Sequence, residues 1–110
     1  MTIVSQDLIN IYAEVSGDRN PLHVDPEFAA TTPFGRTIAH GQLLLGIIGR
    51  ELAARWEPHW SAAGRLQVKF VAPVYAGDEV EVDVDDDGAV RLRVGERICV
   101  IGTARLEEQE

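Results

Sequence analysis

The stretch from Leu43 to Gly49 holds only aliphatic side chains and glycines, Leu-Leu-Leu-Gly-Ile-Ile-Gly, inside a proline-free segment that runs from Gly41 to Trp56. Such a segment reads as a helix of about 24 Å, long enough to run through a small domain. A helix that is apolar all round has to be enclosed on several sides. Its second half, Arg50-Glu51-Leu52-Ala53-Ala54-Arg55-Trp56, is amphipathic and is expected to approach solvent. A chain of 110 residues must provide that enclosure within one domain, residues 1–110.

Beyond the helix the hydrophobic period changes to two. Leu66, Val68 and Phe70 alternate with Gln67 and Lys69, and Val80, Val82 and Val84 alternate with acidic residues. Asp87-Gly88 is a hairpin signal, followed by Val90, Leu92 and Val94 alternating with Arg91 and Arg93. The last strand, Arg97 to Leu106, contains Ile98-Cys99-Val100-Ile101 and is expected to be more fully buried. The reading is α+β, an antiparallel sheet from near residue 64 to 106 wrapped around a long central helix.

The N-terminal third carries the polar chemistry. Ser5 is a candidate N-cap, with Leu8, Ile11, Tyr12 and Val15 on one helical face. Gly17 tolerates the left-handed conformation that ends helices, and Pro21 keeps Asn20 extended. The octapeptide Ser16-Gly17-Asp18-Arg19-Asn20-Pro21-Leu22-His23 is therefore expected to be an irregular turn, with no regular helix through it. It places a carboxylate and an imidazole where both can address one small reactant such as water. Taken alone, a turn-forming Asp and an exposed loop His explain the same residues. A second short helix should begin with Asp25 as N-cap and Pro26 at its first position.

In context the octapeptide resembles the signature of the MaoC-like family, the (R)-specific enoyl-CoA hydratases and 3-hydroxyacyl-thioester dehydratases. The residues that carry the resemblance are Tyr12-Ala13, Ser16-Gly17-Asp18, Asn20-Pro21-Leu22-His23 and the downstream Ala39-His40-Gly41. Asp25-Pro26-Glu27-Phe28-Ala29-Ala30 and Phe34-Gly35-Arg36 resemble the family's connecting segment, and Phe70 to Asp78 resembles its first strand after the helix. The resemblance implies the hotdog fold, normally paired as a homodimer. It also implies reversible hydration of trans-2-enoyl thioesters to (3R)-hydroxyacyl thioesters. Asp18 and His23 would hold the water, and the Gly41 N–H at the helix start would polarise the thioester carbonyl. Ser16, Asn20 and His40 would support the turn, the water and the start of the helix. The acyl group would arrive on coenzyme A or acyl-carrier protein, with no further cofactor, in fatty-acid, polyester or polyketide metabolism. Family members commonly carry a strand before the first helix; here that strand is expected to be missing, with only Thr2 to Val4 able to supply a stub. The sheet would then be one strand short, or a partner would cover its exposed edge. Some carry serine where this chain has Gly49. Gly46 and Gly49 either pack closely on the sheet or leave room for an acyl chain.

Composition removes other classes. A net charge of −8 opposes a general nucleic-acid binder, although local arginines, which form the basic complement apart from Lys69, could still hold a phosphate. No apolar run reaches a membrane span, the first residues lack the pattern of a signal peptide, and Cys99 has no disulfide partner, so the expected location is cytoplasmic. Asp83 to Gly88 opens like a calcium loop, but Val94 stands where the closing Glu would be needed. His23, His40 and His59 lack metal-ligand spacing, so no metal is expected, and no serine lies in a Gly-x-Ser-x-Gly elbow. Two rivals remain: a hotdog acyl-thioesterase using Glu51 as base, and a non-catalytic acyl-binding subunit of a hetero-oligomeric dehydratase.

Overall fold

The computed structural model describes residues 1–107. A short strand, β1 (Thr2–Val4), leads into α1 (Gln6–Ser16), two short helices α2 (Pro21–Val24) and α3 (Pro26–Ala30), and the long α4 (Gly41–Trp56). After α5 (His59–Ala63) come β2 (Gly64–Phe70), β3 (Asp78–Val84), β4 (Ala89–Val94) and β5 (Arg97–Leu106). The strands form one antiparallel sheet in the order β1-β3-β4-β5-β2. This is the hotdog arrangement; of the N-terminal strand expected to be missing, the three-residue stub Thr2–Val4 is formed, as an edge strand pairing Thr2 with Val80 and Val4 with Asp78.

The central helix is gripped along one stripe. Leu44, Ile48 and Leu52 recur at four-residue spacing beside Leu43, and they pack with Val80, Val90, Leu92 and Val100 of the sheet. Enclosure on every side is not what the single chain provides: Leu45, Ile47 and Gly49 are half-buried and Gly46 is exposed. A sheet of this width covers one side of a cylinder, and on another side Leu8 and Tyr12 of α1 and Gly46 and Ile47 of α4 line a cavity. Leu52, fully buried at 0% exposure, gives a direct test of the packed stripe. Leu52→Ala should cost about 2–5 kcal/mol in denaturant unfolding; a loss well under ~1 kcal/mol would mean that the helix lies outside the core.

Several expectations need correction. Helix α1 is capped by Ser5, whose Oγ accepts from the Leu8 N–H at 3.1 Å. Its buried residues, however, are Ile9 and Ala13, with Leu8 and Tyr12 half-buried, while Ile11 and Val15 are exposed. The true stripe is rotated, because small Ala13 lets that face approach the core. In β5 only Cys99 and Val100 of the apolar quartet are buried; Ile98 and Ile101 are each 40% exposed. The β4–β5 register shifts beside Leu92, with Leu92 opposite Val100 and Arg93 opposite Ile98. Cys99 is thus the extra residue of a bulge, which turns two consecutive side chains inward, and burial pushes its thiol pKa up. Of the segment Phe70 to Asp78, only its two ends lie in strands; the residues between make a loop.

The acidic run is a hairpin. Gly88 adopts φ 91°, its N–H reaches the Asp85 carbonyl at 3.0 Å, and an added Cβ would lie 2.3 Å from the Ala104 carbonyl oxygen. The alternating acids of β3 meet the arginines of β4: Arg93 donates to Asp83 at 2.7 Å and to Glu81 at 2.6 Å. The hydrogen bond from Arg93 is the main reason the Asp83 carboxyl titrates below its ordinary range.

Candidate functional site

The turn after α1 is built by its own side chains. Gly17, at φ 81°, returns its N–H to Ala13 O at 3.0 Å. Ser16 Oγ accepts from the Asp18 N–H at 3.1 Å, and Asp18 Oδ1 accepts from the Asn20 N–H at 3.3 Å. Asn20 Oδ1 then accepts from the Leu22 N–H at 3.0 Å, which makes Asn20 the N-cap of α2. Pro21 begins a helical turn here, where a missing N–H costs nothing. His23 therefore sits on a one-turn helix, not on an irregular loop. The side-chain oxygens of Ser16 and Asn20 are engaged in shaping the backbone.

His23 is locked in orientation. Its Nδ1 lies 2.8 Å from the Ile38 carbonyl oxygen, an acceptor only, so Nδ1 carries the proton and donates. Nε2 then faces Asp18, 4.0 Å from Oδ2. That gap exceeds a direct hydrogen bond, and a water at about 2.8 Å from each atom would bridge it with an angle of about 90° at its oxygen. The His23 side chain is 14% exposed and that of Asp18 56%, so the pair joins a sheltered base to an accessible one.

Behind this pair lies His40, buried at 2% exposure. Its ring stacks on His23 at 3.9 Å between centroids and 27° between planes, and Tyr12 packs against it at 4.8 Å. His40 Nε2 donates to the Asp18 carbonyl oxygen at 2.9 Å, while its Nδ1 is buried and has no hydrogen-bond partner among the described residues. Asp18, His23 and His40 gather ligand-type atoms within 4.8 Å of one another. Stacked rings direct their in-plane lone pairs side by side, however, and not toward one point as a tetrahedral ion requires. His40 acts on Asp18 through the backbone.

Two residues outside the motif complete the support. Gln6 Nε2 donates to the His23 carbonyl oxygen at 2.9 Å, and Gln6 Oε1 accepts from the hydroxyl of buried Thr37. Backbone bonds from Ile38 N to Leu22 O (3.2 Å) and from Ala39 N to Val74 O (2.8 Å) tie the segment before α4 to both neighbours. No local pattern marks Gln6 or Thr37, because their partners are distant along the chain.

Gly41 is the first residue of α4, and its N-cap, His40, makes no side-chain capping hydrogen bond. The helix start is consequently open to an external acceptor. A Cβ on Gly41 would stand 3.0 Å from Phe70 Cζ, so the Phe70 ring lies directly against this position. A cavity of about 450 Å³ joins His23 and Gly41, with Phe34, Leu44, Phe70 and Val74 among its walls. Gly46 lines a different cavity, of about 210 Å³, with Leu8 and Tyr12, and Gly49 lines neither. An added Cβ at either glycine meets nothing within 4 Å, so close packing on the sheet is not their role. Glu51 pairs with Arg55 at 3.2 Å and borders a third cavity away from His23.

A family model described as MaoC like domain matches residues 1–109. The 3-hydroxybutyryl-CoA dehydratase of Methylorubrum extorquens is 43% identical over 76% of this chain and 52% of its own length. The 3-hydroxyacyl-thioester dehydratase Z of Mycobacterium tuberculosis is 34% identical over 93% of this chain and 75% of its own. Among solved structures, the (R)-hydratase from Aeromonas caviae involved in PHA biosynthesis superposes with a TM-score of 0.73. It is 30% identical, covering 96% of this chain and 90% of that one. The chain thus spans about half the length of the Methylorubrum relative.

Proposed function

The chain belongs to the MaoC-like domain family, and from that premise we propose that it adds water reversibly across trans-2-enoyl thioesters to give (3R)-hydroxyacyl thioesters. The observation that carries the proposal is the His23–Asp18 gap: Nε2 faces Oδ2 at 4.0 Å, with the other ring nitrogen pinned to a carbonyl. In the reaction the water oxygen bonds to C3 of the enoyl group. One proton leaves that water for the pair, and one proton from the pair reaches C2. The pair must therefore enter the reaction holding one exchangeable proton and leave holding one. Both transfers occur on the face presented to Asp18 and His23, which suits syn addition. Charge developing on the thioester oxygen is met by the Gly41 N–H at the open start of α4.

No helix among the described residues is long and apolar enough to cross a membrane, and the proposed substrates are CoA or carrier-protein thioesters. We further assign a homodimer, which would cover half-buried Leu45 and Ile47 and exposed Gly46. The thioesterase alternative lacks support, because Glu51 does not line the cavity that holds His23 and Gly41. The test is to give the purified chain crotonyl-CoA. The expected outcome is loss of the enoyl-thioester absorbance with formation of (3R)-hydroxybutyryl-CoA, and light scattering should report twice the chain mass. Release of free thiol, or no turnover by the folded protein, would overturn the hydratase reading.

A further inference from the structure

Among the described residues, Arg36, Arg50 and Lys69 are the basic side chains outside every ion pair. Lys69 projects on the outer face of the sheet with Gln67 and Ile101, and Arg50 is tied to the Thr2 hydroxyl at 3.0 Å. Arg36 is different. Along the chain it falls between Phe34 and Ile38, which both line the cavity that contains His23 and Gly41. Its Nη2 donates to the Ala76 carbonyl at 2.9 Å, and its Cζ stands 4.8 Å from the centre of the Tyr75 ring.

A second guanidinium converges on the same ring. Arg97 Cζ lies 5.3 Å from the Tyr75 centroid, and Arg97 Nη2 contacts Asp78 Oδ2 at 2.9 Å. Tyr75 is held rigidly, with its N–H on Asp78 Oδ2 at 2.8 Å and a β-bridge to Ile38. Asp78 offsets one of the two positive charges, which leaves the cluster cationic in a chain of net charge −8. Each guanidinium has five N–H donors, of which the structure engages few, so both retain donors for an external anion. The chain from Arg36 to Gly41 can span at most about 18 Å, of the order of a pantetheine arm.

Resting on the hydratase reading, we infer that Arg36 and Arg97, mounted on Tyr75, form the subsite for a phosphate of the substrate's carrier arm. Free coenzyme A and the phosphopantetheine of a carrier protein share that chemistry. Fixed guanidinium forks suit a phosphate better than flexible ammonium groups do. Arg36, close in the chain to Phe34 and Ile38, also draws an anionic thioester toward the cavity that those two residues line with His23 and Gly41.

Titration calorimetry with free CoA, 4′-phosphopantetheine and pantetheine tests the subsite without requiring turnover. Wild-type protein should bind at least one phosphorylated ligand ~10-fold or more tightly than pantetheine, a preference that weakens with added salt. Arg36→Gln and Arg97→Gln should each remove most of it, and Arg36→Lys should restore part. If Arg36→Gln melts early, Arg97→Gln carries the comparison. Tight binding of CoA alone would identify the nucleotide phosphates as the group read. Equal binding of CoA and phosphopantetheine would identify the phosphate ending the arm. Equal binding of all three ligands, or an unchanged preference in both folded variants, overturns the subsite. Arginine-dependent CoA binding by a protein that does not hydrate crotonyl-CoA would overturn the hydratase reading and leave the subsite standing.

Discussion

Asp18→Asn is expected to lower crotonyl-CoA hydration by ~10²–10⁴-fold, the usual contribution of a positioned acid–base group. The substitution keeps the oxygen that accepts from the Asn20 N–H, so the turn retains its internal hydrogen bond. It leaves the Asp18 carbonyl, to which His40 Nε2 donates, untouched. What changes is the atom 4.0 Å from His23 Nε2, which becomes unable to take a proton. His23→Ala should cause a loss on the same scale by removing the other half of the bridge. With both groups acting on one water, as proposed, the double variant should be little worse than the worse single variant. Thermal melts separate lost chemistry from lost fold, a needed check for His23→Ala because the ring also stacks on His40. Near-wild-type turnover in either folded single variant would move the chemistry to other residues.

The proposed acid–base pair, Asp18 and His23, was legible in the sequence because its signals are local. Gly17, Asn20 and Pro21 each act on the backbone within a few residues, and the structure uses all three in that way. The same is true of the Asp25 cap, which accepts from the Glu27 and Phe28 N–H groups, and of the Asp87-Gly88 hairpin. Features that depend on distant partners were not legible. The rotation of α1 toward Ile9 and Ala13 is decided by what packs against it, and periodicity alone admits more than one stripe. The bulge that buries Cys99 is a property of the β4–β5 register and leaves no trace in β5 itself.

The site's support was hidden for the same reason. Gln6 reaches the His23 carbonyl and the Thr37 hydroxyl across three separate segments, and each of those residues reads singly as an ordinary polar side chain. His40 could be placed at the start of α4 from the sequence. Its hydrogen bond to the Asp18 carbonyl required knowing that α1 and α4 bring their ends together. The candidate site is therefore a local motif oriented by non-local hydrogen bonds, and only the first of these can be read along the chain.

Gly41→Pro is the sharpest test of the proposed carbonyl site, and a loss of ~10²–10³-fold in kcat relative to Gly41→Ala is expected, the scale for removing one oxyanion donor. Proline at the first helical position normally leaves a helix intact, because that N–H makes no intrahelical bond. His40 already has φ −63° and ψ 140°, the extended conformation that precedes proline. The first backbone bond of α4, from Leu44 N to His40 O at 3.3 Å, does not involve the Gly41 N–H. Both substitutions add a Cβ facing Phe70 Cζ at 3.0 Å, and the ring, 49% exposed, has room to give. Alanine thus reproduces the Cβ crowding and keeps the N–H, whereas proline adds the same Cβ, closes a ring onto the nitrogen and removes the N–H. The ratio of the two kcat values reports the loss of the N–H together with its replacement by a ring carbon. Circular dichroism should show equal helix content in both. If the two folded variants turn over crotonyl-CoA within a few-fold of each other, the carbonyl is held elsewhere, and the open end of α4 is not the oxyanion site.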